Sequence, residues 1–298
     1  MEQSASSRSR AQLTGGPGQR RRKLVNRAME GVATLAAGVA VAVLGIVIVS
    51  VVIKGVGAIN LDFLTKNPAP FGQTGGGIAD SIVGTAILVG VATIIAVPIG
   101  ILTAVYTNEF ARPRVAGLIR FALDILNGVP TIVVGIFVFG ILVVGHTQSG
   151  WAGSVALAIV MLPIVARSAQ EVLALVPRAL HEAALALGLR RWRIVLRIVL
   201  PTAAGGLITG AVLGVARVAG ETAPLLFTSS IFSNLGITTS PAQALPNIPV
   251  TIFTLSESPS PSDHQQAWAA ALVLIFLVLS LSVVARTFHD RSRRRLRG

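Results

Sequence analysis

The segment ALVPRALHEAALALGLRRWRIVLRIVLP, residues 174–201, has the pattern of two short helices joined by a bend, and it lies between two long apolar stretches. Pro177 suits the first turn of a helix, because its missing N–H would have no partner there. Residues 178–187 are rich in Ala and Leu, which favour helix. Gly188 permits the bend, and Pro201 ends or kinks the second helix where the next apolar stretch begins.

The chemistry of this element supports two interpretations. Arg190, Arg193 and Arg197 recur at helical spacing, so the second helix has one basic face. Short helices on a rigid support can fill a cleft in a partner protein. An amphipathic basic helix can instead lie on a membrane surface.

The composition places the chain in a membrane. Of its 298 residues, 53% are hydrophobic and 12% are charged, whereas soluble domains carry about 25% charged residues. The net charge of +13 comes from Lys and Arg that flank apolar runs, which argues against nucleic acid as a partner and leaves membrane lipid as one. The chain has no cysteine, and its four histidines lie far apart, so we predict no metal site and no cofactor.

The apolar stretches predict an all-α membrane protein with six transmembrane helices, since about 20 helical residues cross a bilayer. The polar residues 146–151 divide one long uncharged stretch into the third and fourth spans. The predicted spans are 31–53, 81–108, the two parts of 124–167, 201–231 and 267–285.

The distribution of positive charge orients these spans. Of the 25 Lys and Arg residues, 22 fall on one side of the predicted membrane, Lys54 and Lys66 fall on the other, and Arg217 lies within a span. Cytoplasmic loops carry the excess of Lys and Arg in membrane proteins. The pattern therefore predicts that both termini are cytoplasmic.

The same pattern divides the chain into four regions. Residues 1–28 are polar and basic and predict a disordered cytoplasmic tail. Residues 29–78 hold the first span and an external loop, residues 79–288 form the transmembrane core, and residues 289–298 form a second basic cytoplasmic tail.

The segment 174–201 resembles the EAA motif of type I ABC importer permeases. The matching residues are Glu182, Ala183, Ala184, Gly188, Ile198, Leu200 and Pro201. The resemblance implies the MetI-like permease fold and a coupling helix that seats in separate ABC ATPase subunits, with Glu182 in a polar contact and Gly188 in the turn. The chain itself is then not an enzyme. In agreement, no Gly-Lys-Ser or Gly-Lys-Thr follows Gly75–Gly77, so there is no Walker A sequence.

Two charged residues lie inside the fifth predicted span. Arg217 and Glu221 are four residues apart and would share one helix face. An intramembrane charge is costly unless it is paired or hydrated. A guanidinium has planar donors that match phosphate, sulfate or molybdate, so Arg217 fits an oxyanion pathway; a structural ion pair with Glu221 fits equally well.

Four further stretches resemble the A-type membrane subunit of phosphate-specific ABC importers, the PstA type. They are GGGIADSIVGT (75–85), NGVPTIVVGIFVFG (127–140), RVAGETAPLLF (217–227), and ALPNIPVTIFTLSESPS followed by QQAWAAALVLI (244–275). The resemblance implies inner-membrane transport of phosphate, with Arg217, Glu221 and Thr222 in the substrate pathway. It also implies an external phosphate-binding protein and a homologous C-type partner permease.

Three rival functions remain open at this stage. The first is a permease for another oxyanion such as sulfate or molybdate, or the C-type phosphate subunit. The second is a secondary transporter driven by an ion gradient, which inverted repeats in the sequence would support. The third is a membrane-embedded signalling scaffold.

Overall fold

The architecture is helical throughout the part of the chain that is described. A computed structural model describes residues 17–69, 75–231 and 236–295, with side chains described over 21–69, 75–231 and 236–283. Those residues form helices and connecting turns, with one isolated β-bridge between Pro68 and Gly76. The all-α prediction is confirmed. Residues 1–16 of the predicted N-terminal tail and residues 296–298 lie outside the described residues.

Helix α1, Pro17–Gly55, makes up most of the first of two compact units, which ends at Ile53. Its apolar part is largely exposed within this chain, as expected of a helix that faces lipid. The helix begins at Pro17, whereas the sequence predicts a disordered tail as far as residue 28. Gln, Arg, Lys and Ala favour helix, and an existing helix is extended more easily than a new one is nucleated.

The second unit, from Lys54 onward, holds the remaining helices. Their bounds are α2 Leu61–Thr65, α3 Ala79–Val105, α4 Pro113–Gly128, α5 Thr131–Val138, α6 Gly150–Ala174, α7 Arg178–Ala186, α8 Arg191–Ile194, α9 Leu200–Val218, α10 Ala223–Thr228, α11 Ile248–Ser256 and α12 Pro261–Arg295. Short π-helical turns extend three of them: Tyr106–Phe110 follows α3, Phe139–Val143 follows α5, and Val195–Val199 joins α8 to α9.

Five continuous helical segments of the described chain are long and apolar enough to cross a membrane. They are Arg21–Ala58, Ala79–Phe110, Gly150–Ala174, Arg191–Val218 and Pro261–Val283. Helices α4 and α5 make a sixth span if they are counted as one bent pair. This agrees with the predicted number of spans.

The third predicted span differs from expectation, because it is bent rather than straight. Helix α4 ends at Gly128, and the pair formed by α4 and α5 with its extension bends by 96°. Pro130 explains the break, since it has no N–H and disfavours helical geometry at the residue before it. Val129 is accordingly extended, with φ −68° and ψ 129°.

The core of the second unit lies where α6 packs between α3 and α9. Every fourth residue of α3 is buried, and most of these residues are small; they are Gly84, Leu88, Ala92, Ala96, Gly100 and Ala104. A Cβ at Gly100 would lie 2.9 Å from Cγ1 of Val165 in α6. Small residues in such a row let two membrane helices approach closely.

Helix α9 also packs against α6 through a row of small residues. Gly206, Gly210 and Gly214 are spaced four apart, and a Cβ at each would meet a side chain of α6. A Cβ at Gly214, for example, would lie 2.9 Å from Cγ2 of Val165. Helix α6 is therefore fixed against α3 and α9 at once.

The loop formed by residues 236–247 covers the end of the bundle at which α3 and α6 begin. Gly150 N–H donates to the carbonyl of Gln243 at 2.7 Å, and Trp151 N–H donates to the carbonyl of Pro241 at 3.0 Å. Ile248 N–H donates to the buried hydroxyl of Thr85 at 2.9 Å. These bonds hold the segment 236–247 between the helix ends.

Candidate functional site

The EAA-like segment folds as the two short helices that the sequence predicts. Helix α7 begins after Pro177 and ends at Ala186, and Gly188 follows with φ +75°. Gly188 N–H donates to the carbonyl of Leu185 at 2.9 Å, and Leu189 N–H donates to the carbonyl of Ala184 at 3.1 Å. This pair of bonds is the Schellman pattern, which places glycine at the left-handed position.

The residues of the motif divide between two faces. Glu182 and Ala183 are exposed, whereas Ala184 is 2% exposed and packs in an apolar cluster with Val105 and Leu173. Small residues at 183 and 184 keep one face of α7 flat and let the other lie close to the bundle. Such a helix can present a carboxylate to a partner without leaving its support.

The second part of the motif begins the next span. Ile198 and Leu200 are partly buried against the same apolar cluster, and Pro201 occupies the first turn of α9. Proline is tolerated there because the N–H groups of a first turn have no helical partner. The motif therefore connects a surface helix directly to a membrane helix.

A histidine and a glutamate that the sequence analysis did not select attach α7 to the bundle. His181 Nε2 and Glu109 Oε2 lie 3.2 Å apart, with the side chains 26% and 17% exposed. Glu109 lies in the π-helical turn that ends the span beginning with α3. The two residues are 72 positions apart, so no local pattern in the sequence joins them.

The charged residues of the fifth span lie on two sides of a helix end. Helix α9 ends at Val218, so Glu221 is not on the same helix as Arg217, and the prediction of one continuous span to residue 231 is wrong. Gly220 and Pro224 account for this end. The closest nitrogen and oxygen of the two side chains are 3.8 Å apart; Arg217 is 62% exposed and Glu221 is 14% exposed.

Thr222 lies at the point where the chain becomes helical again. Its carbonyl accepts hydrogen bonds from the N–H groups of Leu225 and Leu226, both at 3.1 Å. Helix α10 follows and packs against α5, where a Cβ at Gly135 would lie 2.7 Å from Cα of Pro224. Non-helical backbone at membrane depth is tolerated where it is buried in protein or lines a hydrated cavity.

The described residues contain no group of three or more His, Cys, Asp or Glu side chains that could hold a metal ion. The two candidate regions carry a surface carboxylate on α7 and an exposed guanidinium beside a helix break.

The fold and the surface helix of this chain fit a known class of membrane protein. The family described as "Binding-protein-dependent transport system inner membrane component" matches residues 96–298. Phosphate transport system permease protein PstA from Yersinia pestis is 43% identical over 72% of each chain. The PstA protein from Haemophilus influenzae is 38% identical over 80% of this chain and 84% of its own.

The chain belongs to the binding-protein-dependent transport permeases, and within that family to the PstA group. The resemblance on which the sequence analysis relied is thereby confirmed. Membership makes the chain a multi-pass permease of the ABC importer class.

Solved structures agree on the fold. A chain of the inward-facing MetNI methionine ABC transporter superposes with a TM-score of 0.56 at 18% identity, over 72% of this chain and 94% of that chain. A chain of a bacterial alginate ABC transporter reaches a TM-score of 0.64 at 16% identity, over 90% and 96%. The predicted type I importer fold is confirmed.

Proposed function

We propose that this chain is the A-type permease subunit of an ABC importer that moves inorganic phosphate across the inner membrane. The observation that carries the proposal is the 43% identity with the Yersinia pestis phosphate permease over 72% of each chain. Two described features agree with it: a surface helix suited to a partner, and a guanidinium exposed beside a helix break.

In this proposal α7 is the element that couples the permease to ABC ATPase subunits. Glu182 and Ala183 are exposed, and Leu185 and Leu187 on the same short helix and its turn are exposed as well. Apolar side chains are typical of the buried core of a protein interface, and charged groups are typical of its polar rim. The ATPase subunits hydrolyse ATP, and this chain supplies the surface that follows their motion.

Arg217, Glu221 and Thr222 form part of the phosphate pathway in the same proposal. The guanidinium of Arg217 is largely exposed in this single chain, and its ion pair with Glu221 is long. It therefore retains donors for an oxyanion or for a second chain. A homologous C-type permease would cover this face and complete the pathway.

The orientation in the proposal follows from charge. The basic residues of α7 and α8 lie on the cytoplasmic side, and Lys54 and Lys66 lie on the outer side. Lys54 lies 4.7 Å from the ring centre of Trp268, and membrane proteins concentrate tryptophan at the interfaces between lipid and water. An external phosphate-binding protein would dock on that outer side, and both termini would be cytoplasmic.

Uptake of labelled phosphate at micromolar concentration tests the proposal in cells that lack this gene. The cells are complemented with the wild type, with Glu182→Lys, or with the matched control Glu30→Lys, which reverses an exposed acid of α1. We expect the wild type and the control to restore ATP-dependent uptake and Glu182→Lys to abolish it. Unlabelled sulfate and molybdate are added in excess, and neither should compete.

The outcomes separate the two parts of the proposal. Suppression by sulfate or molybdate would overturn the phosphate assignment and leave the coupling intact. Full uptake with Glu182→Lys would overturn the coupling assignment and leave the cargo intact.

A further inference from the structure

The contact between His181 and Glu109 joins the candidate coupling helix to one particular membrane span. His181 precedes Glu182 on α7, and its Nε2 lies 3.2 Å from Oε2 of Glu109. Glu109 belongs to the π-helical turn at the end of the continuous segment Ala79–Phe110. Among the described residues it is the single polar side-chain contact between α7 and a membrane helix.

The apolar attachment of α7 is less selective. Ala184 is buried in a cluster that includes Val105 from α3, Leu173 from α6, and Ile194 from α8. The cluster includes residues from several spans and from both short helices of the coupling segment, so it does not attach α7 to one span in particular. The polar contact, in contrast, reaches the end of α3 alone.

The connection closes a ring of helices. Helix α6 leads directly into α7 through the short turn at Leu175–Pro177, and α3 packs along α6 through its row of small residues. The contact at Glu109 returns from α7 to α3. At its C-terminal end, α7 continues into α8 through Gly188. The backbone at Gly188 is left-handed, and a Cβ there would have no neighbouring atom within 4 Å.

Glu109 lies beside a pocket whose other charged or titratable residues are basic. A pocket of about 380 Å³ lies against it and is also lined by Asn108, Arg120, Arg178 and His181. Glu109 is the acidic residue in this lining, which also includes two guanidinium groups and the imidazole that contacts Glu109. A hydrogen bond to a carboxylate in such a half-buried site is stronger than one between neutral groups.

We propose that His181 and Glu109 are positioning residues that pass the displacement of α7 to the second span, so that α3 and α6 move as one body with the coupling helix. The inference rests on the proposed coupling role of α7. If the contact between His181 and Glu109 is broken, the ATPase stays docked and active, but α7 moves without α3. ATP is then hydrolysed with less phosphate transported.

The test uses the complete importer reconstituted in proteoliposomes, with the ratio of phosphate transported to ATP hydrolysed as the readout. His181→Ala and Glu109→Ala are each expected to lower this ratio by about fivefold or more, as is typical of a coupling interaction. The double variant should be no worse than either single variant. His181→Gln should recover much of the ratio, because its amide N–H can still donate to Glu109.

Hydrogen exchange separates this link from the coupling role itself. In the wild type, ATP should alter exchange in both residues 178–186 and residues 104–110. In His181→Ala, only 178–186 should respond. A response of 104–110 that is unchanged in the variant, a wild-type transport ratio, or additive effects in the double variant would overturn the link while leaving the coupling role in place. If ATPase and ATP do not affect 178–186 even in the wild type, the coupling role fails and the link fails with it.

Discussion

The guanidinium of Arg217 and the carboxylate of Glu221 lie 3.8 Å apart across the end of a membrane helix, not along one helix face. The arginine is in the last turn of α9, where a positive charge interacts favourably with the helix dipole. The glutamate is largely shielded, while the arginine is exposed. The geometry therefore leaves Arg217 free to interact beyond this chain.

Replacing Arg217 distinguishes a transport role from a structural one. Arg217→Gln should lower phosphate uptake by about tenfold or more, the loss expected when a charged hydrogen-bonding group is removed. Arg217→Lys should retain part of the uptake, since it keeps the charge but not the planar fork. Uptake and co-purification of the partner subunits are measured together, with Glu221→Gln as the matched variant. Loss of assembly in both Arg217→Gln and Glu221→Gln would identify a structural pair instead.

The turn at Gly188 predicts a backbone effect on coupling. Gly188→Ala should weaken binding of the ATPase subunits by about fivefold, because a residue with a Cβ at positive φ costs about 1 kcal/mol. Gly188→Asn should have a smaller effect, since asparagine tolerates this conformation. The affinity of the purified permease for the ATPase is the measurement. Gly90→Ala is the control, because Gly90 lies within α3 and a Cβ there meets nothing within 4 Å; an equal effect of the two alanines would contradict the explanation.

The glycine row of α9 predicts a packing effect. A Cβ at Gly210 would overlap the side chain of Ser168, so Gly210→Ala should destabilise the purified protein by about 1–3 kcal/mol, as overpacking does. Thermal unfolding in detergent measures the loss. Adding Ser168→Gly to Gly210→Ala should restore most of the stability, because it removes the overlapping atoms. If the double variant is no more stable than Gly210→Ala alone, close packing of α6 and α9 is not the cause.

The buried hydroxyl of Thr85 predicts how firmly the loop 236–247 is held. Thr85→Val keeps the shape of the side chain but removes the acceptor of the Ile248 N–H, and an unsatisfied buried N–H costs about 1–3 kcal/mol. We expect faster proteolytic cleavage within 236–247 and a lower unfolding temperature. Thr85→Ser retains the hydroxyl and should behave like the wild type. Equal cleavage rates in Thr85→Val and Thr85→Ser would show that this hydrogen bond does not anchor the loop.

Local patterns in the sequence were sufficient for the features that depend on a few adjacent residues. Apolar runs predict the spans, because a helix that crosses the bilayer must be predominantly apolar along its own length. The turn at Gly188 and the start of α9 at Pro201 follow from the backbone preferences of single residues. The bend at Pro130 and the end of α9 before Gly220 carried similar signals, since proline and glycine interrupt helices, but the apolar run concealed them.

Contacts between distant residues were beyond such patterns. His181 and Glu109 are 72 positions apart, and Thr85 and Ile248 are 163 positions apart. Each contact exists because helices that are far apart in the chain pack side by side, and the identity of one residue does not specify the other. The predicted function of Glu182 came from family resemblance, and that of Arg217 came from the chemistry of its guanidinium together with that resemblance. Both stay predictions until the variants are measured.

The two ends of the bundle are held by different kinds of bond, and this difference would decide about which end the spans can tilt. At the end covered by the segment 236–247, the buried hydroxyls of Thr85 and Ser229 and the buried side-chain amide of Asn247 bond to backbone groups of separate elements. At the end that carries α7, the polar contacts are between partly exposed side chains, such as Arg167 and Asp124, and they add to the apolar cluster around Ala184. Water competes for exposed bonds and not for buried ones. In the proposed complex, tilting of the spans would therefore pivot at the end held by buried polar bonds, and the opposite ends, which carry α7, would sweep the widest arc.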